Sequence, residues 1–283
     1  MLRCAYVTYR NWNAQIDDDT DLAPAVAALS TFFETEVAVW DDESVEWDQF
    51  DVVCVRSVWD YVPQRAKFLS WVDRVSRTTK LLNPAVALHA NSDKQYLIAL
   101  EAAGVPIVPT SWIARVEDID HAVDAWAGRR MVVKPRVGAG AWDTLLTDDP
   151  IAAKAHATAL MAQSRACMVQ PYLEEVDLEG EVSIVCLNGE PSWAIRKVPA
   201  LTEGGHGDAD QQVELTDALC SAARRVLAAE PIANVCVWAR VDVVPVSGEY
   251  VLMELELTEP MLFLASVPGS ADRFAAAVLA ALE

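Results

Sequence analysis

The chain has 283 residues, 53% of them hydrophobic, and a formal charge of -20. Such a length and composition describe a globular protein of two or three packed units, and its apolar runs are too short to cross a bilayer. The acidity excludes nucleic acid and anionic membrane surfaces as partners, because both need basic surface.

A small anionic ligand is still admitted, since it needs only a local group of cations. Lysine is scarce (Lys67, Lys80, Lys94, Lys134, Lys154 and Lys197), so the places where it falls are informative. The six cysteines lie mostly inside apolar runs with no C-x-x-C spacing, which points to buried reduced thiols. Met1-Leu2-Arg3-Cys4 leads straight into an apparent strand rather than a signal peptide, so the cytoplasm is the expected compartment.

Residues 1 to about 85 alternate strand and helix signals. "RCAYVT" reads as a strand, "LAPAVAALSTFF" as a helix, "EVAVW" and "FDVVCVRSVWDY" as strands, "QRAKFLSWVDRVS" as an amphipathic helix and "KLLN" as a closing strand. Alternation of this kind predicts a parallel sheet with helices on its faces. Its ligands would sit beyond the C-terminal strand ends, where Arg56, Ser57, Trp59, Asp60 and Tyr61 fall; loop packing of the aromatics explains the same residues.

In "NSDKQYLIALEAAGVPIVPT", Ser92 and Gln95 read as a capping box, and Gly104 and Pro106 as the helix stop. Lys94 would then lie in the first turn, against the helix dipole. It either points to solvent or meets an anion over the helix start. "RRMVVKPRVGAGAWDTLL" reads as a strand ending at Lys134-Pro135, a small-residue loop at Gly138-Ala139-Gly140, and a second strand. Such a loop lets backbone N–H groups approach phosphates, with lysine as a point charge, although it matches neither the P-loop nor the dinucleotide pattern.

Asn188-Gly189 marks a hairpin that would set Glu181 opposite Arg196 and Ser183 opposite Ala194. A structural salt bridge and a ligand site explain the charged pair equally well. The segment 201–212, "LTEGGHGDADQQ", has almost nothing to bury and reads as a mobile lid carrying His206, either solvated or functional. Helices are expected in "VELTDALCSAARRVLAAE" and "ADRFAAAVLAALE".

Between those helices, "ARVDVVPVSGEYVLMELEL" reads as two apolar runs joined by a three-residue loop, Ser247-Gly248-Glu249. That register places Asp242 opposite Glu254 and Arg240 opposite Glu256 on one face, with Val241, Val243, Met253 and Leu255 on the other. Three carboxylates and a guanidinium on one face suit a hard cation such as Mg²⁺. They also suit a solvated sheet face with a cross-strand ion pair.

Taken in order, N-x-D-K, V-V-K-P before a Gly-containing loop, Q-P-Y-L, E-G-E-V-S, R-V-D and E-L-E-L-T-E-P resemble the ATP-grasp superfamily on its glutathione-synthetase-like side. The likeness runs from about Asn91 to the last residue. It implies an ATP-grasp fold, α+β in its ATP-binding part, preceded by an N-terminal parallel-sheet α/β domain, with divisions at residues 1–90, 91–170 and 171–283.

The resemblance also implies roles. Lys94 and Lys134 would contact ATP phosphates, and Gly138, Ala139 and Gly140 would close over them. Gln170 and the backbone near Tyr172 and Leu173 would hold adenine, and Glu181 the ribose. Asp242, Glu254 and Glu256 would hold Mg²⁺, as two ions, and Arg240 would stabilise the developing anion beside Lys134. Glu256 departs from the pattern, since the superfamily usually has Asn there. That Glu, the following T-E-P, "VRSVWDY" and "LLNP" are similar to the smaller group that includes the O-ureido-serine cyclo-ligase of cycloserine biosynthesis.

The implied activity is an ATP-dependent ligase in which a nitrogen attacks an acyl phosphate of a small carboxylate substrate, within one molecule or between two. A non-catalytic nucleotide-binding protein and a small-molecule kinase are the alternatives. Arg56, Ser57, Tyr61, Ser183, Arg196 and His206 are the residues expected to face substrate. Oligomeric state stays open, a homodimer included.

Overall fold

The computed structural model describes residues 1–10, 19–197 and 211–283. The N-terminal part contains β1 (Arg3–Thr8), α1 (Leu22–Leu29), β2 (Glu34–Val39), β3 (Val52–Ser57), α2 (Arg65–Val75), β4 (Lys80–Leu82) and α3 (Ala85–Asn91). Its strands form a parallel sheet in the order β2-β1-β3-β4, as the alternation predicts. The strands β1 and β3 are buried along almost their whole length, and this explains their near-continuous apolar runs.

The middle of the chain forms α4 (Tyr96–Ala102), β5 (Ser111–Ile113), α5 (Ile119–Asp124), β6 (Met131–Pro135), β7 (Leu145–Thr147), α6 (Pro150–Ala162) and β8 (Cys167–Pro171). These strands make an antiparallel sheet, β5-β8-β6-β7, packed on α5 and α6. The remainder contains α7 (Glu175–Glu179), β9 (Glu181–Leu187), β10 (Glu190–Lys197), β11 (Gln211–Val213), α8 (Asp217–Ala229), β12 (Trp238–Val246), β13 (Glu249–Glu256) and α9 (Ser270–Ala280). Its antiparallel sheet runs β11-β10-β9-β12-β13, with α8 on one face. Among the described residues no helix is long and apolar enough to cross a membrane.

The first and third sheets share a core. Cys4, Tyr6 and Leu29 pack with Val185, Trp193, Trp238, Phe274 and Val278, so α9 closes the apolar face that α1 begins. Polar ties cross the same seam. Asn83, fully buried at the end of β4, donates to Trp238 O at 2.8 Å and Leu257 O at 2.7 Å and accepts from Val237 N at 2.7 Å. Asp21, also buried, accepts the Leu262 and Leu264 N–H groups at 2.5 and 2.6 Å.

Two local expectations are corrected. Ser92 caps the end of α3 instead of opening a helix, and α4 starts at Tyr96, so Lys94 sits in the turn between the two. The reason is lateral. Ser92 Oγ accepts from Arg65 Nε at 2.9 Å, while Asp93 takes both Arg136 Nε and Nη2 at 3.0 and 2.7 Å, drawing the turn onto the end of β6. Gln211 and Gln212, expected in a loop, pair with β10 as part of β11. His206 and residues 201–210 of the expected lid lie outside the described residues.

Asn83→Ala should strand three buried backbone groups and destabilise the protein by about 3 kcal/mol or more. Urea unfolding of both proteins measures the difference.

Candidate ligase active site

The site is built on one face of the five-stranded sheet, and its geometry depends on two β-bulges. Ser247 and Gly248 both have positive φ and make a two-residue turn, not the expected three-residue loop. The pairing therefore begins with Val246 opposite Glu249. A register shift between Asp242 and Val243 then restores the expected pairs, Asp242 with Glu254 and Arg240 with Glu256. The same shift turns Met253 toward the site face, where it packs with Val244 and Val251, and not to the opposite face as the simple alternation required.

In the other hairpin the bulge falls between Pro191 and Trp193 and is not cancelled. Lys197, not Arg196, lies opposite Glu181, and Ser183 faces Ile195 rather than Ala194. Arg196 is exposed on the other face, lying over Gly180, so it is removed from the expected substrate residues. Sequence reasoning missed Lys197. Pro191 was the available signal, because proline inside a strand marks edges and bulges.

Arg240 is the centre of the charge network. Its Nε and Nη2 each donate to Asp242 at 2.9 Å, Nη2 also reaches Glu256, and Nη1 donates to Met261 O at 3.3 Å. Asp242 further accepts Ser183 Oγ at 2.6 Å and Lys197 Nζ at 3.3 Å, and Lys197 also pairs with Glu181. Two lysines from the other antiparallel sheet and its preceding turn converge on Glu254, Lys134 Nζ at 3.0 Å and Lys94 Nζ at 3.6 Å. Lys94 also donates to Gly138 O at 2.7 Å, which ties it to the Gly138–Gly140 loop.

These pairs, together with burial, shift the protonation of the four carboxylates and of Arg240. Burial raises the Glu254 carboxyl, but Lys94 and then Lys134 outweigh it and hold the group down at about 2. Asp242 is likewise lowered, burial again being overcome by Arg240 and Lys197. For Glu256 and Glu181 burial prevails and both are raised. The Arg240 guanidinium is held above its usual value although burial opposes its charge, because Asp242 and Glu256 flank it.

β13 is an edge strand, and side chains stand in for the missing neighbour. Asn91 Nδ2 donates to Leu255 O at 2.8 Å, its Oδ1 accepts from Leu257 N at 2.6 Å, and the Tyr96 hydroxyl accepts from Leu255 N at 3.1 Å. The backbone that carries Glu254 and Glu256 is thereby fixed on both sides.

Between the two antiparallel sheets lies an apolar cluster of Val132, Tyr172, Val176 and Val244, with Leu146, Leu173 and Met253 packed against it. Gln170 is buried there and donates to Thr110 Oγ1 at 2.9 Å. The Tyr172 hydroxyl bonds to Asp177. Of these apolar residues the sequence reading had singled out only Tyr172 and Leu173.

Two expected substrate residues serve structure instead. Arg56, 2% exposed, stacks its guanidinium 4.9 Å from the Trp238 ring centre and donates to Pro260 O at 2.6 Å. Ser57 is buried, its hydroxyl on Asp19 and Thr8. Tyr61 is buried too, yet its hydroxyl reaches the Glu259 carboxyl at the rim of the site. Among the described residues no three acidic, imidazole or thiol groups converge on one point; Asp242, Glu254 and Glu256 are each engaged by cations.

Two antiparallel sheets packed through this apolar cluster, with lysines from one meeting carboxylates from the other, define an ATP-grasp carbon-nitrogen ligase. The overall fold superposes on D-alanine–D-alanine ligase from Bacillus anthracis complexed with ATP at a TM-score of 0.68, with 13% identity and 100% of this chain and 98% of that chain covered. A nearer likeness is the crystal structure of D-cycloserine synthetase DcsG, at a TM-score of 0.90 and 31% identity over 99% of this chain and all of that one.

The chain belongs to the DcsG family. It is 33% identical to the cycloserine biosynthesis protein DcsG of Streptomyces lavendulae, over 94% of this chain and 95% of that protein. Residues 4–83 also match the family model for the N-terminal domain of D-cycloserine synthetase DcsG.

The Glu254 value gives a pH prediction. Its folded carboxyl, at about 2, lies below the ordinary 4.5. It therefore contributes stability that is complete above that ordinary value and lost as pH falls toward 2. Glu254→Gln should flatten this acid limb, read as the thermal midpoint at pH values from about 5 down to 2.

Proposed function

We propose that the protein closes O-ureido-D-serine into D-cycloserine at the cost of ATP. The observation that carries this reading is the convergence of Lys94 and Lys134 on Glu254, next to the Arg240-Asp242-Glu256 cluster, in a chain of the DcsG family. Lysines so placed are exchangeable, because ATP phosphates can take them from the carboxylate.

The donor set fits magnesium, since Asp242, Glu254 and Glu256 offer only carboxylate oxygens from adjacent strand positions. These three would hold Mg²⁺, as two ions, and bound Mg²⁺ would neutralise the phosphate oxygens. Lys94, Lys134 and Lys197 would contact the same phosphates, and Gly138, Ala139 and Gly140 would cover them. The apolar side chains of Val132, Leu146, Leu173 and Met253 would flank the purine, with Gln170 and the backbone at Tyr172 and Leu173 at its edge, and Glu181 would take the ribose.

Within that frame the substrate carboxylate accepts the terminal phosphoryl group. The nitrogen of the substrate's N–O bond then attacks the carbonyl and phosphate leaves; water cleaves the bond from that nitrogen to the carbamoyl carbon, which departs as carbon dioxide and ammonia, and the ring nitrogen keeps a proton. Arg240, already within a buried network, stabilises the charge on the carbonyl oxygen as the nitrogen adds. Intramolecular attack is favoured by the high effective concentration of a tethered nucleophile. We also infer divisions at residues 1–90, 91–170 and 171–283, one sheet to each, and a cytoplasmic location.

A ligase joining the carboxylate to a separate amine would use the same machinery, and product analysis separates the two. ADP release with O-ureido-D-serine, coupled to a cyclic product by mass spectrometry, supports ring closure; release only with an added amine overturns it. Asp242→Asn and Glu254→Gln should each lower that release by about 100-fold or more with the fold intact. Arg196→Ala, on the opposite face, should leave it within about 3-fold.

A further inference from the structure

Five carboxylates and four cations meet in this site, and Glu259 is the carboxylate without an ion pair among the described residues. The groups facing it are Glu256 on β13, Lys94 from the turn before α4, Arg240 on β12 and Tyr61 from the N-terminal part. Lys94 is committed to Glu254 and Gly138, and Arg240 to Asp242, Glu256 and Met261. Among the groups facing it, the Tyr61 hydroxyl is the uncharged one beside the Glu259 carboxyl.

Its backbone leaves little freedom to swing away. Trp59 Nε1 donates to Glu259 O at 3.0 Å, Arg56 Nη2 to Pro260 O at 2.6 Å and Arg240 Nη1 to Met261 O at 3.3 Å. Three successive carbonyls are thus held by three different side chains. Burial, and then the charge of Glu256, push the Glu259 carboxyl up to about 8. A half-buried acid without a counter-ion costs stability, and a cationic ligand removes that cost.

We propose that Glu259, oriented by Tyr61, recognises a primary ammonium group on the substrate. The inference deepens the ligase reading and rests on it. An amino-acid-like substrate carries such a group next to the carboxylate that is activated. Pairing it with Glu259 would place that carboxylate toward Arg240, because the Glu259–Met261 segment crosses the guanidinium.

The test is a cycle of two proteins and two substrates. Wild type and Glu259→Gln are each given O-ureido-D-serine and its analogue with hydrogen in place of the ammonium group, and kcat/KM is taken from ADP release. Loss of the ammonium group should cost wild type about 100-fold and the variant less than about 5-fold, because each change removes the same interaction. The variant should raise KM more than it lowers kcat, with Mg-ATP affinity unchanged by calorimetry. Equal losses in both proteins, or an unchanged variant, overturn the proposal. Tyr61→Phe takes the place of Glu259→Gln in the same cycle if that variant does not fold. Wild type that binds Mg-ATP but releases no ADP with either compound overturns the ligase reading and this proposal together, a result distinct from equal losses.

Discussion

The forked contact of Arg240 with Asp242 is the interaction on which the rest of the site depends. Both side chains lie nearly out of water, so each needs the other to remain charged. The guanidinium then has donors left for Glu256 and Met261 O, and Asp242 has lone pairs left for Ser183 and Lys197. The pair thus sets the positions of β9, β10, β13 and the segment after β13 through a single buried network. Charge balance at this point, more than apolar packing, fixes where the remaining carboxylates stand.

How much of this was legible in the sequence depends on the length scale. The parallel sheet could be read because β1 and β3 are buried on both faces and carry unbroken apolar runs. The Asp242–Glu254 and Arg240–Glu256 pairs were also legible, though by two departures that cancel: a turn one residue shorter than expected, and a bulge at Met253. In the β9–β10 hairpin one bulge stood alone, and the reading slipped from Lys197 to Arg196. A one-residue slip sends a side chain to the other face, so an error of one position becomes an error of function.

The N-terminal residues show a different limit. Arg56 and Ser57 end a parallel strand, where ligands of such sheets bind, and that made them candidates. What the sequence could not show was that the third sheet and α9 cover this end. Trp238 and Phe274 lie against the Arg56 guanidinium, at 4.9 and 5.6 Å from ring centre to charge, and convert a presumed ligand contact into a fastening between sheets. The turn at Ser92 failed for a similar reason, since its partner Arg65 is distant in sequence.

The shared core of α1 and α9 has a consequence for the order in which the molecule can assemble. The first strands present an apolar face whose cover, Phe274 and Val278, comes from nearly the far end of the chain. During synthesis that face stays wet until the ribosome has released almost all of the sequence described here. The N-terminal sheet is therefore finished last although it is made first, and closing it joins contacts of very large sequence separation.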